Sequence, residues 1–228
     1  MLTCESLSKH YRSSKGLVKS LDQIDLHVAK GEFLVVRGHS GSGKTTLLLT
    51  LGAMLNPTQG KVMFKDSDLY GLSRTERARV RSRSIGFVFQ MFHLVPYLNV
   101  IDNVMTGDSS KNADAYSKSK SLLGELGLAD RLHHLPNQLS AGEKQRTALA
   151  RAMVATPDLI LADEPTGNLD PENSKEVCRH LKSYQEKGGT VIVVTHGNAV
   201  NEFADRTIDL KSGKMISSSS LDHQTDEI

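Results

Sequence analysis

The segment Gly38–Thr45 constrains the fold of this chain more than any other. It reads Gly-His-Ser-Gly-Ser-Gly-Lys-Thr, which satisfies the phosphate-binding loop pattern of two glycines followed by lysine and threonine. The apolar run Phe33–Val36 precedes it, and a helix is predicted over Thr45–Leu55. Glycines let backbone N–H groups turn towards phosphate oxygens, and a helix N-terminus adds partial positive charge. The segment therefore predicts a strand–loop–helix unit that binds phosphate.

Three further apolar runs share the character of Phe33–Val36, namely Ile85–Phe89, Leu159–Ala162 and Val191–Val194. Their apolarity is continuous rather than alternating, which is typical of parallel strands that helices cover on both faces. Each of the four runs ends in a polar or glycine-containing segment: Gly38–Ser40, Gln90, Asp163–Glu164 and Thr195–His196. Ligands of open α/β sheets bind beyond the carboxyl ends of the strands, so we expect these four exits to converge on one site.

The remaining segments show other patterns. Ser20–Val28 alternates apolar and polar residues and Gly60–Phe64 is similar, which predicts half-exposed antiparallel strands. A helix is predicted over Ser140–Ala155, shortly before Pro157. Residues 91–139 contain helix-like patches, such as 113–126, and no convincing strand, so we interpret them as a helical insertion. The serine-rich and acidic residues from position 217 onwards predict a disordered tail.

Together these elements predict an α/β fold. It consists of a P-loop NTPase core with a mostly parallel sheet and flanking helices, an antiparallel β subdomain and an inserted α-helical subdomain. Residues 1–216 would form a single domain. Within it, residues 1–90 and 156–216 would make the α/β core with the antiparallel strands, and residues 91–155 would make the helical subdomain. Residues 217–228 would be the disordered tail.

The loop and the strand exits supply candidate ligands for a nucleotide and its metal. Lys44 would reach the β- and γ-phosphates, and the Thr45 hydroxyl would bind Mg²⁺. Asp163 lies where a second Mg²⁺-organising carboxylate belongs, and Glu164 beside it could polarise the attacking water. The residues of the phosphate cradle would be Gly38, His39, Ser40, Gly41, Ser42, Gly43 and Thr46. This set predicts nucleotide binding, but it leaves a transporter ATPase, a kinase, a GTPase and a helicase open.

A second motif separates these classes. Leu139–Arg146 reads Leu-Ser-Ala-Gly-Glu-Lys-Gln-Arg and resembles the signature sequence of ABC ATPases, about twenty residues before Asp163 as in that family. Other family motifs match at Gln90 (Q-loop), Asn168–Asp170 (D-loop), His196 (switch histidine) and Tyr11 (the aromatic residue that stacks on adenine). The matches keep the family's order from about residue 2 to residue 216. By resemblance the chain is identified as a member of the ABC ATPases.

The resemblance implies a head-to-tail dimer that closes on two molecules of ATP with Mg²⁺. Lys44, Thr45 and Asp163 of one copy would hold each ATP, and Ser140 and Gly142 of the other copy would complete the site. The remaining implied roles are water positioning by Glu164, γ-phosphate contact by His196, a link from Mg²⁺ to the permease-facing helices by Gln90, and nucleotide contacts by Tyr11 and Asp170.

Finer similarities point to a subgroup. Ile85–Gln90, Leu94–Pro96 and Asp163–Asp170 are similar to the ATPases of lipoprotein release, macrolide export and cell division. This similarity implies a cytoplasmic subunit that lies on the inner face of the cell membrane through its permease. It would drive a separate integral-membrane permease in export, lipoprotein release or mechanical signalling.

Composition limits the partners. The net charge of +2 gives no general argument for nucleic acid or an anionic membrane surface, and we expect no nucleic-acid partner. The apolar runs are far shorter than the roughly twenty residues that span a bilayer, so we expect no direct membrane insertion. Met1–Glu5 lacks the pattern of a signal peptide, and the two cysteines fit a reducing compartment. A soluble ABC ATPase acting on nucleic acid or translation, and a regulatory subunit with little turnover, remain alternatives.

The signature departs from its commonest form at two positions. Ala141 replaces a glycine and Glu143 replaces a glutamine. Ser140 and Glu143 also have the spacing of a capping box, so a well-capped helix is the alternative interpretation of this motif. Ala141 could weaken the approach of the backbone to the nucleotide, which leaves the rate of ATP hydrolysis open.

Overall fold

The computed structural model describes residues 1–14, 16–109 and 114–220. The strands are β1 (Leu2–Ser13), β2 (Gly16–Val28), β3 (Phe33–Arg37), β4 (Gln59–Phe64), β5 (Ser67–Asp68), β6 (Ile85–Val88), β7 (Leu159–Asp163), β8 (Thr190–Thr195), β9 (Arg206–Lys211) and β10 (Lys214–Ser220). The helices are α1 (Lys44–Leu51), α2 (Arg74–Ser84), α3 (Val100–Met105), α4 (Ala115–Glu125), α5 (Ala141–Met153) and α6 (Pro171–Glu186).

The central sheet has six strands in the order β10-β9-β3-β8-β7-β6, and all neighbouring pairs except β10 with β9 are parallel. Alternate residues of each strand enter two separate cores: Val35 lies in one and Val36 in the other, as do Val193 and Val194. Apolar packing on both faces explains the continuous apolar runs. The four predicted strands are confirmed with ends shifted by one residue or less.

A second, antiparallel sheet has the order β2-β1-β4-β5. The predicted strands at Ser20–Val28 and Gly60–Phe64 are confirmed, although β2 begins earlier, at Gly16. β1, the strand that pairs with both β2 and β4, was not predicted from the sequence. Its pairing shifts register between Cys4 and Leu7 and again between Leu7 and Lys9. Such bulges break the strict alternation by which a half-exposed strand is recognised.

The described residues between 91 and 155 contain helices and short 3-10 turns and no strand, as predicted for this stretch. α3, α4 and α5 contribute Val104, Leu123 and Leu149 to the same core as one face of the central sheet. The helical stretch is therefore packed against the sheet. No helix in the described parts of the chain is long and apolar enough to cross a membrane.

The predicted disordered tail is wrong for its first residues. Ser217, Ser218, Ser219 and Ser220 continue β10, and their backbones pair with Asp209, Ile208, Thr207 and Arg206 of β9. The hydrogen bonds between paired strands join backbone groups and not side chains. A hairpin with a suitable turn can therefore continue through a run of serines, which have no apolar side chains. Ser212 and Gly213 supply that turn with φ of 49° and 77°. Residues 221–228 lie outside the described residues.

Candidate functional site

The four strand exits meet in one cavity of about 340 Å³, which confirms the predicted convergence. Register explains it, because Arg37 pairs with Thr195 and Asp163 with Val194, so neighbouring parallel strands end side by side. The lining residues are Ser20, Ser40, Gly41, Gly43, Lys44, Thr45, Thr46, Gln90, Asp163, Glu164 and His196.

The loop between β3 and α1 has the shape of a backbone cradle. Gly41 and Gly43 have φ of 78° and 108°, values that L side chains rarely adopt. A Cβ at Gly43 would also overlap the carbonyl oxygen of Ser20. Gly43 caps α1 without any side-chain hydrogen bond, and among the described residues no side chain accepts from the first N–H groups of that helix. Free N–H groups at a helix N-terminus fit an anionic phosphate.

Lys44 places its charge inside this cradle. Its Nζ donates to the carbonyl oxygens of Gly38, at 2.6 Å, and His39, at 3.2 Å, and lies 3.6 Å from Glu164 Oε1. The side chain is only 8% exposed. Beside it, the Ser42 Oγ is buried with no hydrogen-bond partner among the described residues. A buried ammonium group next to an unsatisfied hydroxyl provides donors that phosphate oxygens could use.

Thr45 and Asp163 provide oxygen atoms suited to Mg²⁺. Burial raises the pKa of the Asp163 carboxyl, although the hydroxyl of Thr45 donates to it and Lys44 lies nearby. Mg²⁺ in nucleotide sites takes one or two protein oxygens and completes its shell with water and phosphates. The Gln90 side chain reaches the same cavity, so the residues present fit a magnesium ion held jointly with a phosphate.

Glu164 is the most constrained residue of the cavity. Its φ is 46°, a left-handed backbone conformation that a non-glycine residue rarely adopts. The Oε2 atom accepts from the Thr195 hydroxyl at 2.8 Å, and Oε1 accepts from the His196 backbone N–H at 3.0 Å. Burial acts to raise the pKa of Glu164, but the hydrogen bonds from His196 and Thr195 outweigh it, so the net shift is downward. The carboxylate is therefore held in its charged form.

His196 lies at the mouth of the cavity. Its ring is 62% exposed, and Nδ1 lies 2.8 Å from Glu164 Oε1. Thr195, the residue before His196, was predicted to lie at the end of its strand but not to have a role in the site. No pattern of nearby residues identifies it as a hydrogen-bond partner of Glu164. Its contact spans 31 positions and follows from the pairing of β7 with β8.

The Q-loop and D-loop segments touch each other. The Asn168 side-chain amide donates to the carbonyl oxygen of Gln90 at 3.1 Å. A Cβ at Gly167 would lie 3.2 Å from Gln90 Nε2, so the absence of a side chain there makes room for the glutamine.

Seven predicted nucleotide contacts do not line the cavity. Gly38, His39 and Ser42 belong to the phosphate loop itself, whereas four others lie elsewhere in the chain: Tyr11, Ser140, Gly142 and Asp170. Tyr11 pairs with Val18 in the antiparallel sheet, and Lys9 Nζ lies 5.3 Å from the centre of its ring. Its ring is partly exposed and available for stacking. Within one copy, however, the structure does not bring these four residues to the phosphate loop.

The signature segment forms the start of α5. The Ser140 Oγ accepts from the Glu143 N–H at 3.2 Å, and Glu143 Oε2 accepts from the Ser140 N–H at 2.8 Å, which confirms the predicted capping box. Arg131 Nε donates to Glu143 Oε1 at 2.7 Å. The Arg131 hydrogen bond is the main cause that lowers the pKa of Glu143 to about 2. The Glu143 carboxylate thus binds Arg131 and the N-terminus of its own helix. Ser140 and Ala141 remain exposed.

A larger cavity of about 1000 Å³ lies elsewhere, between α4, α6 and the segment that follows α5. Its lining includes Leu122, Met153 and Tyr184 and none of the phosphate-loop residues. Size alone would point to this cavity, but the smaller one holds the cradle, the buried lysine and the paired carboxylates. Chemistry therefore favours the smaller cavity as the functional site.

Comparison with known proteins agrees with this geometry. The profile of the family described as ABC transporter matches residues 21–167. The lipoprotein-releasing system ATP-binding protein LolD of Geobacter metallireducens is 43% identical over 220 residues, which cover 95% of this chain and 98% of that protein. The macrolide export ATP-binding/permease protein MacB of Chlorobaculum tepidum is 42% identical over 218 residues, 95% of this chain but 34% of that protein.

A solved structure extends the similarity to three dimensions. The ATP-binding cassette MJ0796, in a dimeric post-hydrolysis state bound to ADP and Pi, superposes with a TM-score of 0.90 at 34% identity. The match covers 97% of this chain and 99% of that one. The α/β class predicted from the sequence is thereby confirmed.

Proposed function

The chain belongs to the ABC transporter family and is an ATP-binding cassette ATPase, and from that premise we propose how it works. Two copies close head to tail on two ATP molecules with Mg²⁺, and the closure drives a conformational change in a separate membrane permease. The observation that carries this proposal is the division of the site. One cavity gathers the phosphate loop, both carboxylates, Gln90 and His196, whereas Ser140 and Gly142 do not line it.

In the first half of the site, each side chain has a role that its contacts support. Lys44 and the loop N–H groups hold the β- and γ-phosphates. Thr45 and Asp163, with Gln90, offer oxygen atoms to Mg²⁺. MgATP would supply the γ-phosphoryl group and the cation that neutralises its charge.

Glu164 and His196 carry out the hydrolytic part. Glu164 stays ionised at neutral pH because Thr195 and His196 donate to it, so it can polarise a water molecule. The exposed ring of His196 contacts the γ-phosphate. Lys44 lies 3.6 Å from Glu164 Oε1 and is drawn away when phosphate oxygens compete for its ammonium group.

The second half of the site comes from the other copy. Ser140 and the N–H groups of the first turn of α5 face the γ-phosphate, which suits a helix N-terminus. Asp170 adds a contact from the D-loop. The ring of Tyr11 stacks on the adenine of the nucleotide whose phosphates its own copy holds. The dimeric state of the similar MJ0796 cassette supports this arrangement.

The names of the relatives support a membrane partner. LolD is described as part of a lipoprotein-releasing system, and MacB joins an ATP-binding part to a permease in one protein. The chain spans about a third of that MacB protein, the share expected of the ATP-binding part. We therefore place the chain on the cytoplasmic face of the membrane, bound to a permease for lipoprotein release or export.

Replacement of Glu164 by glutamine tests the ATPase site. Glu164→Gln removes the charge that polarises water but keeps the side-chain size, so we expect ATP binding to persist while turnover falls about a hundredfold or more. ATP should then trap a dimer, which size-exclusion chromatography with light scattering detects. Glu186→Gln, an exposed glutamate at the end of α6, is the matched control and should hydrolyse ATP normally. Near-normal turnover in Glu164→Gln would contradict the assignment.

The partner is tested with the same variant. Tagged Glu164→Gln is used for affinity purification from detergent-solubilised membranes, with and without MgATP. We expect one integral membrane protein at near-equal stoichiometry. Recovery of ribosomes, nucleic acid or soluble proteins alone would contradict the permease part of the proposal and leave the ATPase part intact.

A further inference from the structure

The first turns of α5 and α6 touch at Asn173, a residue with no part in the phosphate cavity. We propose that Asn173 is a positioning residue that ties the signature helix to the D-loop within one copy. The two segments offered to the second copy would then keep a fixed spacing. This inference rests on the proposed function, because the spacing matters only if both segments face a second copy.

Both polar atoms of the Asn173 side chain are used, and they point to different parts of the chain. Its Oδ1 accepts from Arg146 Nη1 of α5 at 3.0 Å. Its Nδ2 donates to Asp170 Oδ2 of the D-loop at 2.6 Å. The Asn173 backbone N–H also donates to Asp170 Oδ1 at 3.0 Å. One amide group therefore bridges the signature helix and the D-loop.

Arg146 makes this bridge rigid. The same nitrogen that reaches Asn173 also forms an ion pair with Glu176, one turn further along α6. The Arg146 side chain is only 11% exposed and that of Glu176 is 38% exposed, so these bonds are partly shielded from water. Charge-assisted hydrogen bonds in such surroundings are stronger than those between neutral groups. Arg146 thus binds α6 at two successive turns, through Asn173 and Glu176.

Gly142 shows how closely the two helices approach. A Cβ at this position would overlap the Asn173 side-chain amide. The glycine lets the first turn of α5 lie directly on Asn173. Ala141 is exposed, so the extra methyl group at that position meets no such neighbour. This difference explains why alanine fits at the first of the two signature positions and glycine is needed at the second.

The bridge adds a polar connection between two parts of the chain that also share an apolar core. α5 belongs to the helical stretch of residues 91–155, whereas Asp170 follows β7 of the central sheet. A second copy must meet both segments at once, so any relative movement between them raises the free energy of closure. Asn173 limits that movement without touching the nucleotide.

The experiment compares Asn173→Ala and Asn173→Asp in the Glu164→Gln background. Both variants should bind fluorescent ATP as monomers within about twofold of the parent, because Asn173 does not line the cavity. Both should need at least about tenfold more protein to form the ATP-dependent dimer, the expected effect of losing a charge-assisted bridge. Arg179→Ala, an exposed position on the same helix, is the control and should dimerise like the parent.

The aspartate variant separates positioning from packing. Asn173→Asp keeps the size of the side chain and an acceptor for Arg146, but it cannot donate to Asp170. If Asn173 only packs the two helices together, Asn173→Asp will dimerise like the parent, and that result overturns the inference. If the bridge to the D-loop matters, Asn173→Asp will be defective while its thermal unfolding midpoint stays close to the parent's. Failure of the Glu164→Gln parent itself to dimerise with ATP would overturn the proposed function, and the inference with it.

Discussion

The phosphate-loop half and the signature half of the site are built in opposite ways. The phosphate-loop half gathers residues from position 20 to position 196, all but Ser20 from the ends of four parallel strands or the segments that follow them, with Lys44 and Glu164 each 8% exposed. The signature half is a single helix start, where Ser140 and Glu143 satisfy each other and Ser140 stays exposed. One half is a preformed pocket, and the other is a surface.

This difference separates two kinds of defect. Loss of the phosphate-binding lysine should abolish nucleotide binding by one copy, whereas damage to the surface should spare binding and impair the pairing of two copies. Two substitutions test this separation and a third tests the stability of the signature helix, in order of the size of the expected effect.

Removal of the cradle lysine should have the largest effect. Lys44→Ala deletes the buried cation of the phosphate loop, and we expect the affinity for ATP to fall about a hundredfold or more. Isothermal titration calorimetry measures it. Lys61→Ala, an exposed lysine of the antiparallel sheet, is the control and should bind ATP normally. Retention of tight ATP binding by a folded Lys44→Ala protein would contradict the assignment of the preformed pocket as the site that binds ATP in one copy.

A methyl group at Gly142, the glycine of the signature segment, should affect only the pairing of two copies. Gly142→Ala forces either α5 or the Asn173 side chain out of its place, so we expect ATP-dependent dimerisation in the Glu164→Gln background to need about tenfold more protein. Monomer binding of ATP should be unchanged. Gly124→Ala is the matched control, because a Cβ there meets nothing within 4 Å. If Gly142→Ala lowered ATP affinity in the monomer instead, the two halves would not be separable.

The smallest effect concerns the stability of the signature helix. Folding lowers the pKa of Glu143 from 4.5 to about 2, so its ionised form stabilises the fold above pH 4.5. That contribution is lost as the pH falls from 4.5 towards 2. Arg131 is partly exposed, so screening limits the contribution to about 1 kcal/mol.

Urea unfolding of Glu143→Gln measures this contribution. At pH 7 the variant should be less stable than the parent by about that amount, and at pH 3 most of the difference should disappear. Glu186→Gln should show no such change between the two pH values. A difference that grew as the pH fell would show that Glu143 is not held in its charged form.

Much of the phosphate-loop half could be predicted from the sequence. The apolar runs marked the strands, and the polar residues directly after them had to lie at one edge of a parallel sheet. The capping box of Ser140 and Glu143 was predictable for a different reason, since its partners are three residues apart and one turn of helix brings them together. The strand β1 was missed because its bulges hide the alternation, and the serines after position 216 were misread because strand pairing does not depend on side chains.

The sequence by itself determined the residue types at each strand end, the local caps and the family. Only the tertiary structure decided that Thr195 holds Glu164, that Arg131 neutralises Glu143, and that Asn173 joins Arg146 to Asp170. Three of these contacts join residues 12 to 31 positions apart, whereas Asp170 and Asn173 are three residues apart and form a local helix cap. The distances within those three remote pairs depend on sheet register and helix packing, which no local spacing encodes.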